Sequence, residues 1–153
     1  MIRIEYPPYQ PKIKQENEKE FIFDEVRKQW VILTPEEWVR QNFLQYLIQV
    51  KKYPASLIAV EKEIKLGDIK KRFDIVVYDK DTKPAMIVEC KEMNVPLTES
   101  VLHQGLRYNQ VLKVPFLIIT NGSNTFAYSM ENNELKELLE LPGWNTDKTD
   151  ITD

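Results

Sequence analysis

"MIVECKE", residues 86–92, places two charged side chains in a stretch that is otherwise typical of a buried strand. Side chains on a strand alternate between its two faces, so Glu89 and Lys91 share one face with Ile87. Ionised groups in such a strand require a charged partner, solvent in a cleft, or a bound ligand. The stretch therefore indicates either a functional site or a cross-strand salt bridge.

The preceding stretch "RFDIVVYD", residues 72–79, pairs naturally with this strand through the turn-like "KDTKP". Symmetrical pairing around the turn predicts three opposed pairs: Tyr78 with Ala85, Val76 with Ile87, and Asp74 with Glu89. Directly opposed side chains lie about 5 Å apart. At that separation two carboxylates repel by roughly 3 kcal/mol at an effective dielectric constant near 20. The predicted register therefore brings two acids together and requires a cation.

Lys91 supplies part of that positive charge, and a divalent metal ion would supply more. Mg²⁺ prefers oxygen ligands and takes one or two carboxylates together with water and phosphate. A lysine beside such a metal is suited to hold or deprotonate an attacking water, or to neutralise charge on a phosphorane-like transition state. Asp74, Glu89 and Lys91 together fit phosphodiester hydrolysis.

The N-terminal part of the chain predicts an arm, a hairpin and a helix. Residues 1–20 are polar and carry three prolines, which indicates a flexible arm. Residues 21–33 contain two β-rich runs and predict a β-hairpin. Thr34 as N-cap, Pro35 at the first helical position and two acids in the first turn then predict a helix.

The C-terminal part predicts a crossover. Residues 56–66 predict a further strand, which forms an antiparallel meander with the strands at 72–79 and 85–91. A helix over 96–113 precedes the apolar strand 114–120. A strand, a helix and a strand in succession predict a right-handed connection with parallel pairing. The remaining predictions follow in chain order: an edge strand at 125–130, a short helix or loop at 134–141, and a polar tail at 145–153.

These elements predict one α/β domain over residues 21–144, a three-layer α/β/α sandwich around a mixed sheet of four to five strands. The single cysteine excludes an internal disulfide, and neither a leader nor an apolar run of membrane-spanning length is present. We therefore expect a cytoplasmic protein without membrane association. The 4 glycines form no phosphate-binding loop, so we expect no ATP site in this chain.

The acid of one strand followed by Glu-x-Lys on the next resembles the PD-(D/E)xK nuclease superfamily. "HQGLRYNQ", residues 103–110, also resembles the Q-x-x-x-Y motif that accompanies this nuclease core in type I restriction enzyme R subunits and RecB-like nucleases. "LTPEEWVRQNFLQYLI" is similar to the first helix of the N-terminal nuclease domain of those R subunits. The resemblance extends from about Phe21 to Trp144 and implies a restriction-endonuclease-like fold.

This resemblance implies roles for individual residues. Asp74, Glu89 and the main-chain carbonyl of Cys90 would bind Mg²⁺, with Mn²⁺ as a substitute, and Lys91 would act on the attacking water. Gln104 and Tyr108, one helical turn apart, would orient the DNA backbone or the catalytic residues. The first helix would add one further catalytic acid, and the remaining candidates are basic residues that could contact phosphate: Lys70, Lys71, Arg72 and Arg107.

Either Glu36 or Glu37 could be that acid, and Glu36 is favoured because it shares a helical stripe with Val39 and Arg40. The other glutamate would be a favourable first-turn charge. We thus expect a Mg²⁺-dependent DNA endonuclease of the restriction type, with restriction-system subunits or a motor protein as partners. The alternatives are a catalytically silent nuclease fold that binds DNA or a protein, and a structural domain in which the motif residues lie apart.

Overall fold

The computed structural model describes residues 1–144, so the predicted polar tail at 145–153 lies outside the described residues. The strands are β1 Ile13–Glu16, β2 Lys19–Asp24, β3 Gln29–Ile32, β4 Ile58–Leu66, β5 Ile69–Tyr78, β6 Pro84–Cys90, β7 Phe116–Thr120, β8 Thr125–Glu131 and β9 Glu134–Leu138. The helices are α1 Pro35–Gln45, which continues as a π-helical turn over Tyr46–Val50, a 3₁₀ turn Ala55–Leu57, and α2 Glu99–Leu112. Neither described helix is long and apolar enough to cross a membrane.

Six strands form the central sheet in sequence order, from β4 to β9. Only β6 and β7 pair in parallel within this sheet, and α2 connects them. The predicted meander and crossover are therefore confirmed, as is the mixed α/β fold. The two faces of the sheet carry separate apolar cores, one packed against α1 and one against α2.

The sixth strand corrects two expectations from the sequence. "ELKEL", predicted as a helix or loop, is strand β9, and it pairs with β8, so the predicted edge strand lies inside the sheet. The connection is the two-residue turn Asn132–Asn133, whose φ angles are 50° and 65°. Asparagine tolerates this left-handed conformation, and two such residues make the tight turn that matches the twist of a hairpin. The Asn-Asn pair was the missed signal.

The predicted helix α1 begins where its capping sequence indicates. Thr34 Oγ1 accepts a hydrogen bond of 3.0 Å from the backbone N–H of Glu37, and Pro35 occupies the first turn. Val39, Phe43 and Leu47 are at most 2% exposed and pack on the sheet beneath. Local capping and apolar spacing therefore place the N-terminus of α1 over the sheet.

The predicted hairpin is present as β2 and β3, and the chain before it differs from the flexible arm that we expected. Ile13–Glu16 forms strand β1 and pairs with β2, which gives a second sheet of three strands. Ile2 is 7% exposed and forms a bridge with Thr125 of β8. The edge of β2 offers backbone partners to β1, and the main core buries Ile2. These contacts order residues whose composition alone would not predict a fold.

A buried ionic network joins the small sheet to α1. Asp24 is fully buried, and it accepts hydrogen bonds from Arg27 Nε at 2.6 Å and from Gln41 Nε2 at 2.9 Å. Glu37 contacts Arg27 Nη2 at 3.1 Å and Arg40 Nη2 at 2.7 Å. Because these charges lie away from water, each depends on its partner for compensation.

We predict that Arg27→Met lowers the free energy of unfolding by about 3 kcal/mol, because the substitution leaves the buried carboxylate of Asp24 without its guanidinium. The matched control is Lys136→Met, whose partner Glu131 is 53% exposed and whose loss should cost no more than about 0.5 kcal/mol. Urea unfolding measures both variants. Equal losses in the two variants would contradict a stabilising role for the network.

The same network predicts an acid-sensitive fold. Burial opposes ionisation of Asp24, but hydrogen bonds from Arg27 outweigh burial and hold the pKa of Asp24 below its ordinary value of 3.8. Burial likewise opposes ionisation of Glu37, and Arg40 and Gln41 outweigh it, so the pKa of Glu37 lies below 4.5. Such groups stabilise the fold above their ordinary pKa values, and this contribution is lost as pH falls through the lowered ones.

We therefore expect urea midpoints of the wild type to fall when the pH is lowered from about 4.5 to about 3, where acids of the unfolded chain take up protons that Asp24 and Glu37 resist in the fold. Asp24→Asn should be less stable at neutral pH and should show a shallower pH dependence, because the amide contributes no ionisation. An unchanged pH slope in Asp24→Asn would show that this carboxylate does not contribute to acid sensitivity.

Candidate functional site

The β5–β6 hairpin has the predicted register at its open end. Val76 pairs with Ile87 and Ile75 pairs with Val88, so the next residues along are Asp74 and Glu89. The predicted Tyr78–Ala85 pair is wrong, because an irregularity between Val77 and Tyr78 moves Tyr78 opposite Pro84. The irregularity lies beside the turn, and the pairing beyond it keeps the symmetrical register. The acids are thus neighbours at the end of the hairpin away from the turn.

Asp74 is held by two hydrogen bonds. Its Oδ2 accepts a bond of 2.7 Å from the backbone N–H of Cys90, and its Oδ1 accepts one of 3.1 Å from Arg40 Nη1. Burial raises the pKa of Asp74, although the Cys90 N–H and the charge of Arg40 oppose that effect. Asp74 thereby lies between strand β6 and helix α1, in an orientation that both elements determine.

Glu89 is a buried carboxylate with an incomplete set of partners. Its side chain is 14% exposed, and among the described residues its Oε1 has no hydrogen-bond partner. Lys71 Nζ lies 3.7 Å from that oxygen, near enough for charge attraction. Burial, reinforced by the charge of Asp74, raises the pKa of Glu89 to about 7, and Lys71 and Lys91 oppose this shift. A buried acid with a free oxygen is suited to bind a cation.

A small cleft of about 50 Å³ opens beside Glu89. Its walls include Glu89 and Lys91 from the sheet side and Gln104 and Tyr108 from α2. Lys71 Nζ lies 5.0 Å from the centre of the Tyr108 ring, within the range of a cation–π contact. The crossover helix and the hairpin thus meet around one cleft, which four of the five motif residues line and Asp74 does not.

The two glutamates at the start of α1 occupy different environments. Glu36 interacts with Asp74, and burial, followed by the charge of Asp74, raises the pKa of Glu36. Glu37 is 4% exposed and belongs to the arginine network described above. The structure therefore places Glu36, the glutamate that the helical stripe favoured, beside Asp74.

The four basic residues predicted to contact phosphate do not all lie at the cleft. Lys71 points to the cleft and contacts both Glu89 and Tyr108, which makes it part of the site. Lys70 pairs with Glu63 at 3.5 Å on the exposed side of the sheet, and Arg72 is likewise exposed. Arg107 is exposed on α2. Of the four, only Lys71 lines the cleft.

Sequence reasoning missed the contact between Arg40 and Asp74. Arg40 is 6% exposed, and its guanidinium forms a forked contact with Glu37 while Nη1 faces Asp74. The only sequence signal was its position four residues after Glu36, which places both on one face of α1. Cys90 is buried, at 2% exposure, and belongs to the core on the α1 face of the sheet.

The residues present fit a hard metal ion with few protein ligands. Within residues 1–144, no three His, Cys, Asp or Glu side chains are grouped so as to hold a metal ion. Magnesium commonly takes one or two carboxylates and keeps several water ligands, so it does not require such a group. The Oε1 of Glu89 has no hydrogen-bond partner among the described residues, although Lys71 attracts it from 3.7 Å, and it offers the oxygen chemistry that such an ion prefers.

The raised pKa of Glu89 predicts a stability cost at neutral pH. Ionisation of Glu89 is less favourable in the folded chain than in the unfolded one, so the contribution of Glu89 to stability falls as pH rises from 4.5 to about 7. In a chelating buffer, Glu89→Gln should therefore be more stable than the wild type near pH 8, by up to roughly 3 kcal/mol. The difference should shrink near pH 4, where the wild-type acid is protonated in both states.

Urea unfolding at the two pH values measures this difference, and Glu134→Gln, an exposed glutamate on β9, serves as the matched control. A Glu89→Gln variant that is less stable than the wild type at the higher pH would contradict the unfavourable burial of this charge.

Comparisons with known proteins agree with the fold. The family model for the type I restriction enzyme R protein N terminus matches residues 35–142. A fragment structure described as an HsdR subunit of a type I restriction enzyme from Vibrio vulnificus YJ016 is similar over 72% of this chain, with 20% identity and a TM-score of 0.52. This chain spans 24% of that protein's length.

A DrdV–DNA complex solved by cryo-electron microscopy is similar over 69% of this chain and 10% of its own. Its identity is 15% and its TM-score is 0.44, so we draw no conclusion from it. A search of curated protein sequences finds no match.

Proposed function

This chain belongs to the family of type I restriction enzyme R protein N-terminal domains, and we propose that it is a Mg²⁺-dependent DNA endonuclease domain. One observation carries the proposal. Glu89 is largely buried, senses the charge of Asp74, and has an oxygen, Oε1, that lacks a hydrogen-bond partner within the described chain and is attracted by Lys71. It lines the same cleft as Lys91, and Gln104 and Tyr108 form the facing wall.

Asp74, Glu89 and the main-chain carbonyl of Cys90 would hold the Mg²⁺, and Mn²⁺ would substitute for it. The bound ion would supply Lewis acidity, which lowers the pKa of a water ligand and offsets charge on the phosphate. The three acids Glu36, Asp74 and Glu89 provide negative charge, and Cys90 fixes Asp74 through its backbone N–H. The proposal needs no ATP site in this chain.

The side chains around the cleft would then perform the hydrolysis. Lys91 would orient the attacking water through its ammonium as the water oxygen bonds to phosphorus, and the proton of that water would pass to solvent. The opposite P–O bond would break, and the departing oxygen would receive a proton from solvent. Lys71 and Gln104 would contact the phosphate oxygens, and Tyr108 would keep Lys71 in place through the contact with its ring.

The partners follow from the same proposal. DNA would be the substrate, and a motor protein or other restriction-system subunits would bring it to the cleft, in a cytoplasmic setting. The chain spans about a quarter of the HsdR protein that it resembles, so these partners would supply functions that this domain does not carry.

We expect the purified protein to nick supercoiled plasmid DNA in Mg²⁺ and to lose this activity in a chelating buffer. Glu89→Gln and Lys91→Met should each reduce the rate at least about a hundredfold, because one removes a metal ligand and the other the group that acts on water. Agarose gels over a time course measure the rates.

The matched controls are Glu134→Gln and Lys136→Met, exposed residues of the same types on β9. Both controls should cleave at the wild-type rate. An absence of cleavage with Mg²⁺ or Mn²⁺ in a folded wild-type protein would contradict the proposal, as would equal activity in Lys91→Met.

A catalytically silent nuclease fold is the second candidate, and the bonding of Asp74 favours it. Both carboxylate oxygens already accept hydrogen bonds, from Arg40 and from the Cys90 N–H, so a metal must share Asp74 with an arginine. A silent domain would bind DNA or a protein partner without cleavage. Its DNA affinity would depend on salt and would be unchanged in Lys91→Met.

A further inference from the structure

A second candidate binding surface lies on the small N-terminal sheet, outside residues 35–142 that match the family model. Phe21 pairs with Ile32, and Phe23 pairs with Trp30, so these four side chains share one face. Lys14 pairs with Phe21 and joins that face, and Lys12 lies over Phe23 at its end. We call it the aromatic–lysine face, and its members are Lys12, Lys14, Phe21, Phe23, Trp30 and Ile32.

We propose that the aromatic–lysine face binds single-stranded nucleic acid, with bases stacked on the aromatic rings and phosphates held by the lysines. The proposal is independent of the cleavage chemistry, because none of these residues lines the cleft beside Glu89.

Part of this face is open to solvent. Trp30 is 38% exposed and Ile32 is 50% exposed, and Phe21 and Phe23 are half-buried. Ile22 and Asp24, on the opposite face of β2, are fully buried. Trp30 contacts Phe23 edge to face, with ring centres 5.4 Å apart. An arrangement of this kind leaves ring surface open for a base, and stacking tolerates every base because each has a π-face.

The lysines already sit where a nucleic acid would need positive charge. Lys14 Nζ lies 4.6 Å from the centre of the Trp30 ring and 6.0 Å from that of Phe21. Lys12 Nζ lies 5.7 Å from the centre of the Phe23 ring. A stacked base would displace these flexible side chains from the rings, and each ammonium would then be free to contact a neighbouring phosphate.

The balance of charge on this face is positive, although the chain as a whole carries −3. Strand alternation adds Lys19 and Glu16, which pair with each other at the end of the sheet, and Glu16 lies 3.5 Å from Lys14. Three lysines therefore oppose one glutamate. Lysines among exposed aromatic rings complement a polyanion with exposed bases better than they complement an apolar protein surface. A single strand fits better than a duplex, because the bases of a duplex are paired and cannot stack on the rings.

The test is fluorescence anisotropy with labelled oligothymidylate and oligouridylate in a chelating buffer, where no metal-dependent cleavage occurs. Wild-type protein should bind one or both strands more tightly than a duplex of equal length. Trp30→Ala should weaken binding about tenfold, since stacking on one ring contributes on that scale, and Trp30→Phe should restore most of the affinity. Comparable binding by Trp30→Ala would overturn the proposal.

The lysines are tested by salt dependence. Loss of two phosphate contacts in the double variant Lys12→Ala/Lys14→Ala should lower the slope of log affinity against log salt by about 1.4. Lys136→Ala, an exposed lysine in the other sheet, is the matched control and should keep the wild-type slope. Urea unfolding of each variant confirms that the fold is retained.

Two further outcomes separate this proposal from others. Lys71→Ala removes a positive charge from the cleft, so loss of single-strand binding in that variant would assign binding to the cleft and overturn the proposal. Concentration-dependent dimerisation in analytical ultracentrifugation that Trp30→Ala abolishes would identify a second copy of this chain as the occupant and would also overturn it. Failure of plasmid cleavage would leave the proposal standing.

Discussion

The hydrogen bond from the backbone N–H of Cys90 to Asp74 is the contact on which the geometry of the site depends. It joins the side chain of one strand to the backbone of the next, at the residue directly after Glu89. Arg40 binds the other oxygen of the same carboxylate from α1. A one-residue shift between β5 and β6 would turn the side chains to opposite faces and remove Asp74 from Glu89.

The site brings three carboxylates and three cations into a partly buried region, where burial disfavours ionised groups. Burial raises the pKa values of Glu36, Asp74 and Glu89, and the charge of Asp74 adds to the rise at both glutamates. Nearby cations oppose these shifts: Arg40, Lys71 and Lys91. The result is a carboxylate, Glu89, that is costly to ionise at neutral pH in the absence of a cation. Sites that bind and catalyse commonly carry such a cost, because groups arranged for a ligand are not arranged for stability.

Two regions differ in how they compensate charge. In the network around Asp24 and Glu37, each acid has hydrogen bonds that outweigh burial, so both pKa values are lowered. Around Glu89 the bonds are fewer and burial dominates, so its pKa is raised. Arg40 contacts both regions, because its guanidinium binds Glu37 and Asp74 together. The first arrangement is that of a structural network, and the second leaves room for a ligand.

Local signals in the sequence determined α1 and the β5–β6 hairpin. Thr34 and Pro35 define the helix start, and the apolar alternation around Asp74 and Glu89 sets their pairing, because these patterns act over a few neighbouring residues. Strand β9 also had a local signal, the Asn132–Asn133 turn. The Glu, Lys and Leu residues of "ELKELLEL" favour a helix, so the sequence pattern indicated the wrong element. Strand β1 had a weaker local signal, Asn17 in the two-residue turn Asn17–Glu18, and it also depends on the edge that β2 offers.

The sequence by itself determined which residue types meet at the end of the hairpin and which family pattern they form. Only the tertiary structure decided that Glu36 rather than Glu37 lies beside Asp74, and that Lys71 rather than Lys70 or Arg72 lines the cleft. It also decided that Arg40 binds Asp74. These contacts join residues far apart in the chain, and the packing of α1 and α2 on opposite faces of the sheet sets which side chains reach one another.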